Sequence, residues 1–414
     1  MKNKLNYITN IIVIIIIFII IFECPNTYES LPYIGYGIIG VSIWMLYRYR
    51  KSTKICLLIG IMMIISICFA MSVCLNAYDT AFNWQVDLIN REANIINAKN
   101  YLLFLTTISI SIGKINEKEY KIVYDYNPII FFVCLAVLIY SLIFGFDRGT
   151  VGIYSSNTNV LYEYAIIIFL FAWIHTKNNK YMKGILVLYA IVYCLQGLVF
   201  GDRSSAFPMI LMLFLLLYNK KYTIKHILIA GLGGIFLANI IDIFRNTGFI
   251  FDSSVIKEVL DRGLFVNTIS YSFYGGTQVI RYGMNSTLQF EHFLNYMSSI
   301  FTGGSSEYTL TVIANAAGYI NKGGGMSHVY FYYWIGYFGT IIFGIFMGRI
   351  INYIYNSDTK FSNILKITVT IFLIRWFVYY PVAFFRTAIF VPAICYIMCV
   401  LFKKIIINRR NEDE

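Results

Sequence analysis

The residues best suited to chemistry are arginines at the ends of apolar runs. One run ends in Gly201-Asp202-Arg203-Ser204-Ser205 and another in Asp242-Ile243-Phe244-Arg245, while Arg375 falls inside a third and Arg386 opens a fourth. Charge within or beside an apolar run is costly, so each arginine needs a reason. A guanidinium group stays charged and grips oxyanions through two parallel hydrogen bonds, which suits a phosphate or diphosphate. Arginines sharing one cavity at the outer membrane face would hold a lipid-linked diphosphate. A long polar segment adds Arg262, Arg281, Glu291, His292, Glu307 and His328. The structural alternative is that Arg203 and Arg386 reach towards lipid headgroups, or that Arg203 and Arg245 pair with Asp202 and Asp242. It accounts least well for Arg375, which lies deepest in its run.

Proton transfer calls for a different group. His328, in Gly323-Gly-Gly-Met-Ser327-His328-Val-Tyr330, has the position of a general base acting on a sugar hydroxyl. It equally fits the start of a helix capped by Ser327. Glu307 is a second candidate base. Glu291 and His292 read either as an acid–base pair or as solvated loop, and His175 and His226 fall among lysines and read as solvated. The stretch Tyr330-Phe-Tyr-Tyr333-Trp-Ile-Gly-Tyr-Phe338 is dense in aromatic rings. Such rings pack on the C–H faces of sugars and would line a glycan path, and they also form belts at membrane interfaces. No Gly-x-x-x-x-Gly-Lys-Ser/Thr loop, His-Glu-x-x-His pair or Gly-x-Ser-x-Gly elbow is present. The segment Glu23–Ser30 carries no Asp-x-Asp, unlike metal-dependent polyprenyl-phosphate sugar transferases. Neither a metal nor a cofactor is expected.

The elements that must position these groups follow from composition. Hydrophobic residues make up 58% of the chain and charged residues 13%, against roughly a quarter charged in soluble domains. Mean hydropathy is +0.67. The net charge of +12 gathers at the ends of apolar runs, a sign of topology or lipid contact rather than of nucleic acid. The eight cysteines include no Cys-x-x-Cys pair, and most lie in apolar runs as small hydrophobes. The first run, Tyr7–Phe22, reads as a retained signal anchor.

Runs of bilayer length predict an all-α, polytopic integral membrane protein. The spans fall at 7–22, 31–47, 55–75, 96–113, 129–146, 159–174, 185–200, 206–218, 227–243, 329–350, 361–380 and 385–402, about twelve transmembrane helices with one long extracytoplasmic loop. The fourth and eighth are the weakest. With the N-terminus inside, twenty-two lysines and arginines fall in inner segments and five in the short outer ones. Deleting the fourth span would swap every later segment and erase this bias, so the bias supports that span. The expected parts are N-terminal membrane helices (1–243), the extracytoplasmic loop with short helices (244–328), C-terminal membrane helices (329–402) and a cytoplasmic tail (403–414), with both termini cytoplasmic. Val255 to Leu260 is expected to form a turn or two of helix.

These features together resemble a family. Gly201-Asp-Arg203-Ser-Ser-Ala at the outer end of a mid-chain span, a long outer loop, and a glycine-rich approach to an aromatic helix bearing Gly336-Tyr-Phe-Gly339 resemble the bacterial O-antigen and capsule repeat-unit polymerases of the Wzy type. The resemblance implies polymerisation of polyprenyl-diphosphate-linked oligosaccharide units at the outer face of the bacterial plasma membrane, without a cofactor. A chain-length regulator protein would be a partner. Arg203 takes the family's arginine role most directly, and Arg245, Arg262 and Arg281 more loosely. The family's Arg-to-Gly spacing is not matched, since Phe214 stands where glycine would be wanted. The related O-antigen ligases carry a loop histidine placed like His328, so a ligase stays open. A non-enzymatic flippase or exporter of the same lipid-linked sugars is the alternative from another class.

Overall fold

The computed structural model describes residues 2–75, 91–115, 124–146, 159–177, 179–200, 202–218, 223–246, 256–257, 268–281, 286–302, 309–316 and 325–412. Among these the chain is helical, with no β-strand. The helices are α1 (Lys2–Phe22), α2 (Leu31–Tyr49), α3 (Thr53–Phe69), α4 (Arg91–Ile112), α5 (Pro128–Phe144), α6 (Val160–Ile174), α7 (Lys180–Val199), α8 (Arg203–Leu217) and α9 (Ile224–Asn246). They are followed by α10 (Thr268–Arg281), α11 (Ser286–Thr302), α12 (Leu310–Ala316), α13 (Ser327–Asn356), α14 (Lys360–Ile371), α15 (Val382–Phe385) and α16 (Val391–Glu412).

Six helical segments among the described residues are long and apolar enough to cross a membrane: Tyr28–Tyr49, Ile55–Leu75, Glu92–Ile112, Lys180–Val199, Ser327–Asn356 and Val382–Ile405. Shorter apolar helices occupy Ile11–Phe22, Pro128–Phe144, Val160–Ile174, Ser204–Leu217 and Ile224–Ile240. The packing is that of a helical membrane protein. Large apolar side chains such as Phe132, Phe144, Leu188 and Leu195 are exposed, while Asn97, Asn100, Ser42 and Thr340 are buried. Water would penalise that outer surface, whereas lipid does not.

Helix α4 is the doubtful fourth span, and among the described residues it forms the most extensive helix–helix interface, with α13. Its low hydropathy comes from polar groups that bond inwards. Asn97 donates to Phe273 O (3.0 Å) and Thr277 Oγ1 (3.1 Å), and Asn100 donates to His328 O (2.9 Å). Lys99 donates to Asn26 Oδ1 (2.9 Å). Close approach to α13 depends on small residues: a Cβ added at Gly348 would come within 2.6 Å of Ser111 Cβ, the small-xxx-small logic of membrane helix pairs with Gly344 one turn earlier.

Two expected elements are corrected. The stretch 361–380 is not one helix: α14 ends at Ile371, and a π-helical turn covers Arg375–Tyr379. Pro381 accounts for where the π-helical turn stops, because a proline pushes the preceding residue into extended backbone, and Tyr380 has φ −154° and ψ 113°. A second π-helical turn, Arg386–Phe390, joins α15 to α16. Second, α13 is kinked at Ile335 and Gly336, the latter at φ 64° and ψ −154°, a backbone region open essentially to glycine alone. Gly339 completes the kink, since a Cβ there would collide with the carbonyl of Phe331. Within 244–328, α10, α11 and α12 are the helices among described residues, and only 256–257 of Val255–Leu260 are described, as helix.

Among the described residues, two groups of polar contacts join distant segments near opposite ends of the helices. At the lysine-rich end Tyr49 donates to Gly113 O (2.7 Å), Asn356 to Lys114 O (3.1 Å) and Lys183 to Tyr124 OH (3.0 Å). There Lys403 also pairs with Asp125 at 2.5 Å. Burial pushes the Asp125 carboxyl up, but the hydrogen bond and charge of Lys403, with Lys360 and His175 adding, bring it below the usual carboxylate range. His175 is not solvated as expected: it is buried, with Nδ1 against the Asp125 carbonyl. Burial lowers its proton affinity, against the pull of Asp125. The other group joins residues 24–26, 97–100, 204–205, 270–277, 299, 328 and 375–386.

Candidate functional site

The second group contains the arginines. Helix α8 begins with the turn that the sequence singles out. Asp202 is its N-cap: one carboxylate oxygen accepts from Ser205 N (3.3 Å) and Ser204 Oγ (2.6 Å). This satisfies an open donor of the first turn and places negative charge at the positive end of the helix. Its other oxygen is buried and has no hydrogen-bond partner among the described residues. Arg203 is the first residue of α8.

Arg375 reaches this turn from the π-helical break. Its Nε donates to Ser204 O (3.0 Å) and its Nη2 to Ser205 Oγ (3.0 Å). Its Nη1 lies 3.5 Å from Glu163 Oε2 in the first turn of α6. Arg386, on the second break, donates from Nε to Tyr164 OH (2.7 Å) and from Nη1 to Ser299 O (3.3 Å) on α11. Adjacent residues of α6 thus meet both guanidinium groups. The gathering point is the start of α6 and α8, and the π-helical turns set the two arginines there. Such turns recur at functional sites because the extra residue redirects a side chain.

A partly open arginine held on one edge by hydroxyls and a carbonyl, and on another by a single carboxylate, can exchange that carboxylate for a phosphate. Glu163, Tyr164, Ser204, Ser205 and Ser299 were missed as site residues. Glu163 carried a readable signal, being an acidic residue inside an apolar run. The Glu163–Arg375 pair supplies a test. Its side chains are 36% and 12% exposed, so the pair contributes about 0–1 kcal/mol. Glu163→Gln is expected to leave the thermal midpoint unchanged while tightening the binding of inorganic pyrophosphate. Unchanged or weaker pyrophosphate binding in Glu163→Gln would show that this carboxylate does not compete with an anion for Arg375.

His328 lies elsewhere. It is fully buried, its Nε2 is 2.7 Å from Asn97 Oδ1, its ring stands edge-on to Tyr101 at 5.1 Å, and its Nδ1 has no hydrogen-bond partner among the described residues. The N-cap of α13 is Met326 rather than Ser327, whose hydroxyl bonds the Trp376 carbonyl instead. Tyr330 and Tyr333 are also buried. Leu310 N donates to the Tyr330 hydroxyl (3.2 Å), and His292 of α11 packs 5.2 Å from the Tyr333 ring. His292 accepts from Trp334 Nε1 (2.8 Å), so it belongs to this packed aromatic group rather than to solvated loop. Arg281 is exposed at the end of α10, and Arg245 lies in the last turn of α9. Arg262 and Glu307 lie outside the described residues, as do the side chains of Arg203 and Arg245.

Comparison with protein-family models, with curated proteins and with solved structures finds no match.

Proposed function

We propose that the protein is a membrane glycosyltransferase that polymerises polyprenyl-diphosphate-linked oligosaccharide repeat units at the outer face of the bacterial plasma membrane. In this reading about twelve spans place both termini in the cytoplasm and segment 244–328 outside. The two groups of polar contacts support that topology: among the described residues, those of the lysine-rich end join segments expected inside, and those of the arginine group join segments expected outside. The observation that carries the reading is the convergence of Arg375 and Arg386 on the turns that begin α6 and α8, beside Arg203. In the reaction, a hydroxyl of an incoming lipid-linked unit attacks the anomeric carbon that joins the growing chain to its carrier. The bond from that carbon to the diphosphate oxygen breaks, and the hydroxyl proton passes to a base. The arginines stabilise the negative charge gathering on the departing diphosphate, the kind of preorganised electrostatic stabilisation that dominates many enzymes. Confinement of two tethered substrates in one membrane supplies alignment.

A flippase is the second reading, favoured by one observation: helices broken where they carry charge also build transporter sites. Deleting the gene and complementing it separates the two. For a polymerase, the deletion leaves single repeat units exposed at the outer face, and the gene restores a ladder of long chains. Lipid-linked units trapped at the cytoplasmic face of the deletion strain would reject the polymerase in favour of the flippase.

A further inference from the structure

The lysine-rich end of the bundle holds a cavity that glycan chemistry leaves unused. Its volume is about 330 Å³, and it is lined by the end of α6, the first part of α14 and the middle of α16. Phe171, Ile367 and Tyr396 supply apolar wall, and Lys360, Lys403 and Lys404 line it with Asp125 and His175. Asp125 neutralises Lys403 through their 2.5 Å pair. Lys360 and Lys404 are exposed and leave surplus positive charge around an apolar recess. Val400 lines the cavity and is also 39% exposed. The recess therefore continues onto the apolar outer face of α16, where Ile397 and Leu401 are exposed.

A free phosphate would use the lysines and ignore the walls. A neutral lipid would use the walls and ignore the lysines. We propose that this cavity binds an anionic phospholipid of the cytoplasmic leaflet, its phosphate held by Lys360 and Lys404 and an acyl chain laid against Ile367, Tyr396 and Val400. Basic recesses between membrane helices on the cytoplasmic side are suited to such headgroups. The inference needs only that the lysine-rich end is cytoplasmic, as the positive-inside rule places it, and is independent of the glycosyl transfer proposed above.

Native mass spectrometry of the full chain in neutral detergent tests it, with phosphatidylglycerol and phosphatidylcholine as probes. The protein should retain phosphatidylglycerol in preference to phosphatidylcholine. Lys360→Gln with Lys404→Gln should weaken that binding roughly 30-fold, from about fivefold per lysine near an anionic surface. Cys399→Trp, which fills the lined space without changing charge, should weaken it too. Lys180→Gln with Lys225→Gln removes equal charge from exposed positions at the same end and should leave it intact. Equal loss in that control pair would overturn the site in favour of diffuse surface attraction. So would undiminished binding in a folded Cys399→Trp protein; if that variant does not fold, the two exposed-lysine pairs decide. Inorganic phosphate that binds through Lys360 and Lys404 without being displaced by phosphatidylglycerol would also overturn it, making the cavity a site for a free anion.

Discussion

Arg203→Ala is expected to reduce polymerisation by about 10²–10³-fold, the usual consequence of removing one preorganised donor from a developing oxyanion. The measurement is the glycan ladder of a deletion strain carrying the variant, with membrane abundance followed by immunoblot. Single repeat units should replace long chains at unchanged protein level. The reason lies in the placement of the residue. Asp202 and Ser205 fix the first turn of α8, and Arg375 clamps the same turn through Ser204 and Ser205. Arg203 therefore springs from backbone held on both sides. Arg203→Lys should restore only part of the activity, because an ammonium group keeps the charge and loses the planar fork. A normal ladder in Arg203→Ala would remove this turn from the mechanism.

The second large effect is expected at Asn97. Its side chain meets Phe273 O, Thr277 Oγ1 and the His328 imidazole, so it ties α4 to α10 and α13. Asn97→Ala strands the His328 imidazole and takes a partner from Thr277 Oγ1, at about 1–3 kcal/mol for each group left unsatisfied, while Phe273 O keeps its bond within α10. Direct interhelical hydrogen bonds in membranes average only about 0.6 kcal/mol, so the penalty of stranded groups decides the outcome. The thermal midpoint in detergent should fall sharply. The double variant Asn97→Leu with His328→Phe separates structure from catalysis, since it replaces a polar pair by an apolar one. With a purely structural role for His328, it should recover part of the lost stability and still make long chains. A folded double variant that makes none would return His328 to the chemistry as the base.

Much of the helical architecture was readable because lipid imposes a simple rule: long apolar runs become helices. Helix α4 shows the limit of that rule. Asn97, Lys99 and Asn100 depress its hydropathy, and only the distribution of lysines and arginines argued for it. Its burial against α13 explains the conflict, since those polar groups face other helices rather than lipid. The breaks at Arg375–Tyr379 and Arg386–Phe390 were not legible, because π-helical turns have the composition of ordinary helix; Pro381 and Pro392, each just past one break, were the available hints. Arg375 and Arg386 stood out as charges that needed a reason. Their partners Glu163, Tyr164 and Ser299 depend on packing between segments more than 80 residues apart, which no local pattern encodes. Tyr330 and Tyr333 read as a glycan path or an interfacial belt, both of them open surfaces, because nothing in their own segment reveals that α11 covers them.

The kink in α13 bears on how such a chain changes over generations. At position 336 the backbone admits glycine almost alone, and at 339 a methyl group would strike the Phe331 carbonyl. Tyr337 and Phe338 between them face no comparable restriction from the bend itself. Drift is therefore free to rewrite the ring types while the two flanking glycines stay put. A lineage built this way would keep a four-residue signature long after wider resemblance had eroded.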